Sequence, residues 1–232
     1  MRLDNQVSEF EERIGYTFTE RELLRRALTH KSYSHEAKDL DVRHNETFEF
    51  LGDAVLELTV TEDLYGRFPQ YNEGTLTSLR AALVNYQMLA SVARALGLEE
   101  FMRLSKGEAK DVGRAREVIL ANAFEAVTGA IYQDGGYSSA KAFVLYAVMP
   151  RLEDVLKEGS YKDAKSIFQE KVQATARVTP VYRLLEEKGP DHDKVFTMGV
   201  YVGEKLVAQG TGPSKQEAET EAAKNALKSL VS

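Results

Sequence analysis

A chain of 232 residues, 43% of them hydrophobic, accommodates one large domain or two small ones with a real core, and no apolar run of about 18 residues is present to cross a membrane. The complete lack of cysteine excludes disulfides, thiolate-bound zinc, iron–sulfur clusters and a cysteine nucleophile. The net charge of −6 is uneven: residues 160–232 carry 11 basic against 10 acidic groups, which leaves 19 against 26 in residues 1–159, so a first part that handled a polyanion would need cations.

The start, MRLDNQVSEFEERIG, lacks the apolar segment of a secretory signal and fits a reducing, cytoplasmic setting. Helical spacing then predicts a helix over 20–29, with Leu23, Leu24, Ala27 and Leu28 inward, and a long one over 46–67 that stops before Pro69. A third is expected over 76–95, ending at Gly97 as its C′ glycine, a fourth over 114–132 ending at Gly135–Gly136, and a fifth over 139–156, broken or kinked at Pro150. No strand-like alternation occurs in this part. Residues 157–161 are the linker candidate, separating a domain 1–156 from a domain 162–232. The second domain reads as α-β-β-β-α: a helix over 164–176, strands over 181–185, 195–202 and 205–210, and a last helix opened by Ser214-Lys-Gln-Glu217, a capping box, with Ala218, Ala222, Ala226 and Leu230 inward.

The chemistry concentrates on two helices. At about 100° per residue, Glu46, Glu49 and Asp53 share one face of the 46–67 helix, within about 60°. Phe48, Phe50, Leu51, Val55, Leu56 and Leu58 make that helix apolar nearly all round, the pattern of a buried element. The 114–132 helix repeats the theme, with Asn122 and Glu125 as the polar groups of Val118-Ile-Leu-Ala-Asn-Ala-Phe-Glu-Ala-Val. Oxygen donors on one face of each of two buried helices suit a hard divalent cation such as Mg²⁺. A solvated acidic stripe, or salt bridges to Lys and Arg elsewhere, fits the same periodicity equally well. Glu57 shares the Glu46/Asp53 face and illustrates that alternative. His30, His35, His44 and His192 show no ligand-like spacing, no Ser/His/Asp arrangement competes, and no GxxxxGK[ST] loop indicates use of a nucleotide triphosphate.

The segment HNETFEFLGDAVLEL closely resembles the ribonuclease III signature. LTHKSYSHE, FPQYNEGTLTSLRAALV, LSKGEAKDVGRAREVIL and ANAFEAVTGAIYQDGGY extend the resemblance, in the same order and spacing, over essentially the whole chain. It implies an all-α endonuclease domain followed by a small α+β double-stranded RNA-binding domain. It also implies a metal site of Glu49, Asp53, Asn122 and Glu125, catalysis by Asp53 and Glu125, and supporting acids of the cleft at Glu46 and Glu73. Asn122 departs from the family, most of whose members carry aspartate there; its carbonyl still ligates a hard cation but brings no charge.

On the first helix of the second domain, Ser166, Gln169, Glu170 and Gln173 lie within about 100°, opposite Phe168 and Val172. Taken alone, Gln169 and Gln173 read as a plain solvated face; with the resemblance, the face suits the RNA minor groove and its 2′-hydroxyls. The loop Gly189-Pro-Asp-His-Asp-Lys offers His192 to a second minor groove, and Lys215 stands in a capped first turn that favours phosphate. Gln216 replaces a second lysine of many such domains. The resemblance therefore implies a homodimeric, Mg²⁺-dependent endonuclease of double-stranded RNA, with Mn²⁺ able to substitute, and with precursor rRNA, tRNA and structured mRNA as substrates. The rival is a non-cutting double-stranded RNA-binding protein whose nuclease centre has lapsed at Asn122.

Overall fold

Two glycines set the geometry of the helical part. Helices α4 (Glu46–Arg67) and α7 (Arg114–Ala147) cross so closely that a Cβ added at Gly52 would lie 1.8 Å from the Glu125 carbonyl oxygen, and one at Gly129 would lie 2.2 Å from that of Phe48. Only glycine permits this contact of backbone on backbone. Phe48, Val55, Leu56, Val60 and Leu64 of α4 are buried around it together with Leu120, Phe124, Val127 and Ile131 of α7. Side chains of that size contribute about 1.5–3 kcal/mol each on full burial, so this helix pair is the centre of the core.

The computed structural model describes residues 2–37, 43–110, 112–159, 164–190 and 194–229, which fall into two compact units, 1–161 and 162–232. In the first unit, α1 (Arg2–Ile14), α2 (Arg21–Ala27), α3 (Lys31–Ala37), α5 (Glu73–Val84), α6 (Tyr86–Ala95) and α8 (Leu152–Glu158) accompany the central pair. Helices α1 and α3 are additions to the sequence reading, although Val7, Phe10 and Ile14 bury one face of α1 at helical spacing. The segment also contains one parallel bridge, Thr29 to Arg103.

The single helix expected over 76–95 is two. Asn72 caps the earlier start of α5, its side chain accepting from the Thr75 N–H at 2.8 Å. Asn85 is extended (φ −69°, ψ 157°), and its side chain accepts from the Met88 N–H while donating to the Ala81 and Ala82 carbonyls, closing one helix and opening the next. Gly97 is left-handed (φ +67°) just beyond α6, as expected of a C′ glycine. As expected, two helices meet at Gly135–Gly136: α7 is interrupted by non-helical Gly136 (φ 73°, ψ −176°), and Pro150 lies in a 3-10 turn, Met149–Arg151, before α8. Both sides of the bend are fastened: Asp134 accepts from Tyr16 Oη, Thr19 N–H and Glu20 N–H, and Glu62 of α4 binds Tyr137 Oη and Lys141 Nζ. Helix α8 reaches Glu158 and ends on left-handed Gly159, so the first two residues of the expected linker are helical; its residues 160 and 161 lie outside the described residues.

The second unit is α-β-β-β-α. Helix α9 (Ala164–Ala176) precedes the antiparallel sheet β1-β2-β3, formed by Val181–Lys188, Val195–Val202 and Lys205–Gly212, and α10 (Lys215–Ser229) follows. Strands β1 and β3 run a little beyond their expected ends. Phe168, Val172, Val200, Ala222, Ala223 and Ala226 are buried between helices and sheet; Leu230, expected in this row, lies outside the described residues. Ser214 Oγ accepts from the Glu217 N–H at 3.2 Å, one half of the capping box.

Candidate active site

The backbone contact at Gly52 and Gly129 brings one turn of α4 against one turn of α7, and with it four of the expected residues. Glu49 and Asp53 flank Gly52; Asn122 and Glu125 stand on the facing turn. Asn122 hydrogen-bonds to Glu49. Glu125 is mostly buried, and its carboxyl is pushed up to about 8, first by desolvation and then by the charges of Asp53 and Glu49. Glu49 is raised as well, by desolvation and by Glu46, although the Asn122 hydrogen bond and Lys31 pull the other way.

Glu46 sits at the rim, where it meets Lys31: Nζ lies 2.9 Å from Glu46 Oε1, and this hydrogen bond holds the carboxyl below its ordinary range. His44 Nδ1 is 3.6 Å from the other Glu46 oxygen. Arg26 packs over the Phe48 ring and donates to the His44 carbonyl and Thr47 Oγ1, which fixes the entry to α4. Glu73 is not brought to this group. It begins α5 and lines a cavity of about 480 Å³ with Thr61, Leu64 and Tyr65. Thr61 is eight residues beyond Asp53 on α4, about 12 Å along the axis at 1.5 Å per residue. Glu57 is exposed on α4.

The donor set consists of oxygens alone; Asp53 is exposed, while desolvation raises Glu49 and Glu125, and a hard cation relieves that cost. Among the described residues no three Asp, Glu or His side chains are gathered into a finished metal cage. Mg²⁺ does not require one, because it is commonly held by one or two carboxylates with waters and substrate phosphate completing the shell. The chemistry of Glu49, Asp53, Asn122 and Glu125 therefore fits such an ion.

In the second unit, Ser166, Gln169, Glu170 and Gln173 are exposed on α9, with Phe168 and Val172 buried on its other side. Lys215 is exposed at the start of α10, its Nζ 5.9 Å from the centre of the Phe196 ring. His192 lies outside the described residues. The sequence reading missed Lys31 as a partner of the acids, although it lies within LTHKSYSHE, and missed Gly52 and Gly129 as the pivot.

The chain thus joins a helical unit, with an oxygen-donor group on its central helix pair, to an α-β-β-β-α unit. Residues 20–152 match the family model described as Ribonuclease-III-like, and residues 164–230 that of the double-stranded RNA binding motif. The chain is 44% identical over 226 residues to Ribonuclease 3 of Bdellovibrio bacteriovorus, covering 97% of this chain and 96% of the relative. It is 44% identical to Ribonuclease 3 of Borreliella afzelii, covering 97% of this chain and 91% of the relative. The nuclease domain of ribonuclease III from Campylobacter jejuni, in which a flexible region takes part in dimer formation, superposes with a TM-score of 0.56 at 39% identity, covering 62% of this chain and 96% of that one. The chain belongs to the ribonuclease III family.

Proposed function

We propose that this protein is a Mg²⁺-dependent endonuclease that cuts both strands of duplex RNA, leaving 5′-phosphate and 3′-hydroxyl ends, and that Mn²⁺ substitutes for Mg²⁺. The observation that carries the proposal is the convergence of Glu49, Asp53, Asn122 and Glu125 across the α4–α7 contact, in a chain that ends in a double-stranded RNA binding motif. The bound ion would neutralise the developing charge on the phosphate and make an attacking hydroxide available at neutral pH. Asp53 and Glu125 supply the charge that holds it against the scissile phosphate, Glu49 and Asn122 complete the donors, and Glu46 and Glu73 add negative charge further along the cleft. Residues 162–232, joined through 157–161 to a nuclease domain of 1–156, present Ser166, Gln169, Glu170, Gln173, His192 and Lys215 to the duplex. Purified protein incubated with a long RNA duplex should give short products with Mg²⁺ and none with chelator; retained binding without products at ample Mg²⁺ would establish the non-cutting alternative instead.

The same reading takes the protein to be a homodimer. Phe50, Leu58 and Tyr65 are 83%, 55% and 74% exposed, and at about 100° per residue they fall within about 80° on α4. Large apolar side chains aligned on one face support a partner surface, and a two-fold dimer matches the pseudo-two-fold symmetry of an RNA duplex. Processing of precursor rRNA, tRNA and structured mRNA in the cytoplasm is the biological setting that fits. Among the described residues no helix is long and apolar enough to cross a membrane.

Asn122→Asp tests the departure at the metal site. A unit-charge pair at about 4 Å is worth roughly 4 kcal/mol at an effective dielectric near 20, and on the order of 1–2 kcal/mol after desolvation. The substitution also exchanges the amide that donates to Glu49 for a charge that repels it. The Mg²⁺ midpoint of cleavage should fall about tenfold. An unchanged midpoint, together with a rise in Glu57→Gln, would transfer the compensating role to Glu57.

Residues 162–232 alone should fold and bind duplex RNA without cutting it, since they enclose their own buried cluster. RNA duplex should be preferred over DNA duplex of equal length, because the α9 face reads 2′-hydroxyls. Equal affinity for the two at moderate salt would reduce the contact to phosphate attraction.

A further inference from the structure

Lys31 stands beside the acids at the start of α4. Its Nζ is 2.9 Å from Glu46 Oε1, and its charge also acts on Glu49 and Glu108. The backbone beneath it is pinned: the His30 N–H donates to the Arg103 carbonyl at 3.1 Å, Ser32 Oγ accepts from the Ser105 N–H at 3.1 Å, and Thr29 bridges to Arg103. The residues on both sides of Lys31 are thus tied to segment 103–105, while its own side chain is 54% exposed over an equally accessible Glu46.

We propose that Lys31 binds substrate: its ammonium leaves Glu46 for a non-bridging phosphate oxygen of the RNA strand that enters the carboxylate group. The inference rests on the endonuclease reading above. An ion pair exposed at both ends is weakly held, so its exchange costs little. A phosphate offers the same ammonium a partner whose capture also releases counterions from the RNA. Glu46 is itself exposed, so water takes the place of the ammonium when it leaves. A lysine suits the role, being a compact charge on a long flexible stem rather than a rigid fork. With the carboxylates of Glu46, Glu49 and Asp53 repelling a phosphodiester, a mobile cation at the rim admits the strand without occupying the site.

The test measures equilibrium binding of an RNA duplex by the full chain in Mg²⁺, in a Glu125→Gln background so that the RNA stays intact, as salt rises from roughly 50 to 200 mM. One lost phosphate contact flattens the logarithmic salt dependence by about 0.9, so the affinity that Lys31→Ala loses over this range should be about 3.5-fold smaller than that lost by its parent. Lys31→Arg should restore the steeper dependence. In the otherwise wild-type chain, Lys31→Ala should raise KM for cleavage more than it lowers kcat. If Lys31 only braces Glu46, Lys31→Ala will lower the melting temperature and leave the salt dependence unchanged, which overturns the proposal. Failure of the parent to bind duplex at all would instead overturn the endonuclease reading.

Discussion

Glu125→Gln is expected to abolish cleavage of duplex RNA while leaving binding of the duplex largely intact. The change keeps the size and an oxygen donor but removes the charge, at the acid most enclosed by the α4–α7 contact. Losing one preorganised electrostatic partner commonly costs about 10²–10³-fold in rate, and on the proposed reading the lost partner also helps hold the ion. Binding survives because much of the phosphate contact belongs to residues 162–232. Near wild-type cutting at low Mg²⁺ would remove Glu125 from the metal site. The same substitution has an opposite effect on the metal-free fold. The Glu125 carboxyl titrates at about 8 in the folded protein, against an ordinary value of 4.5. Below that ordinary value it is neutral whether folded or not and affects nothing. As pH rises from there, the unfolded chain releases a proton that the folded chain retains, so stability falls until the folded group has also ionised. Glu125→Gln should therefore melt higher than the parent in chelator at pH 8 and nearly level with it at pH 4.5. Each 1 kcal/mol gained corresponds to about 2–4 °C in a chain of this size. Equal melting at both pH values would mean that the carboxyl is not strained by its burial.

Gly52→Ala should cost more stability than any other single methyl group added to α4. Alanine is the better helix former by about 1 kcal/mol, so propensity alone favours the change. Against this, the new Cβ would sit 1.8 Å from the Glu125 carbonyl oxygen and 2.8 Å from the Gly129 nitrogen, and backbone cannot rotate away as a side chain can. The helices must part, and the loss should reach about 3 kcal/mol or more, the upper end of overpacking costs. Separation also moves Glu49 and Asp53 away from Asn122 and Glu125, so surviving protein should need more Mg²⁺. Gly66→Ala is the control: it lies on the same helix, and its Cβ would meet nothing within 4 Å. It should stabilise by about 0.5–1 kcal/mol. Denaturant unfolding of the two variants should give opposite signs; a neutral Gly52→Ala would refute the backbone contact.

Periodicity revealed most of the fold because it reports which face of an element is buried. It placed α4 and the α-β-β-β-α order, and it gathered Glu49 and Asp53 onto one face. It did not report where a face leads. Glu73 was grouped with the acids by the family resemblance alone, and α5 begins against the far half of α4, beside Thr61 and Tyr65. Lys31 and Glu46 are 15 positions apart and meet only because the segment after α2 is tied to Arg103, a connection that no spacing encodes. Asn85 did carry a readable signal, since asparagine at a helix start caps it, but an uninterrupted apolar pattern over 76–95 concealed the break. Gly135–Gly136 was read as a helix end, and Gly136 does interrupt the helix at φ 73°, while Glu62 secures the helix beyond the kink.

The buried cluster of the second unit consists of Phe168, Val172, Val200 and four alanines, whereas side chains larger than alanine make up most of the first. Alanine lets α9 and α10 lie close to the sheet but removes little apolar area from water, and small units are the least able to spare it. On this ground the second unit should open first on warming. Heat should therefore act as a change of substrate affinity before it acts as a loss of chemistry: KM measured against temperature should climb through an interval in which kcat still follows its ordinary increase, whereas a KM that stays flat until kcat collapses would refute that order.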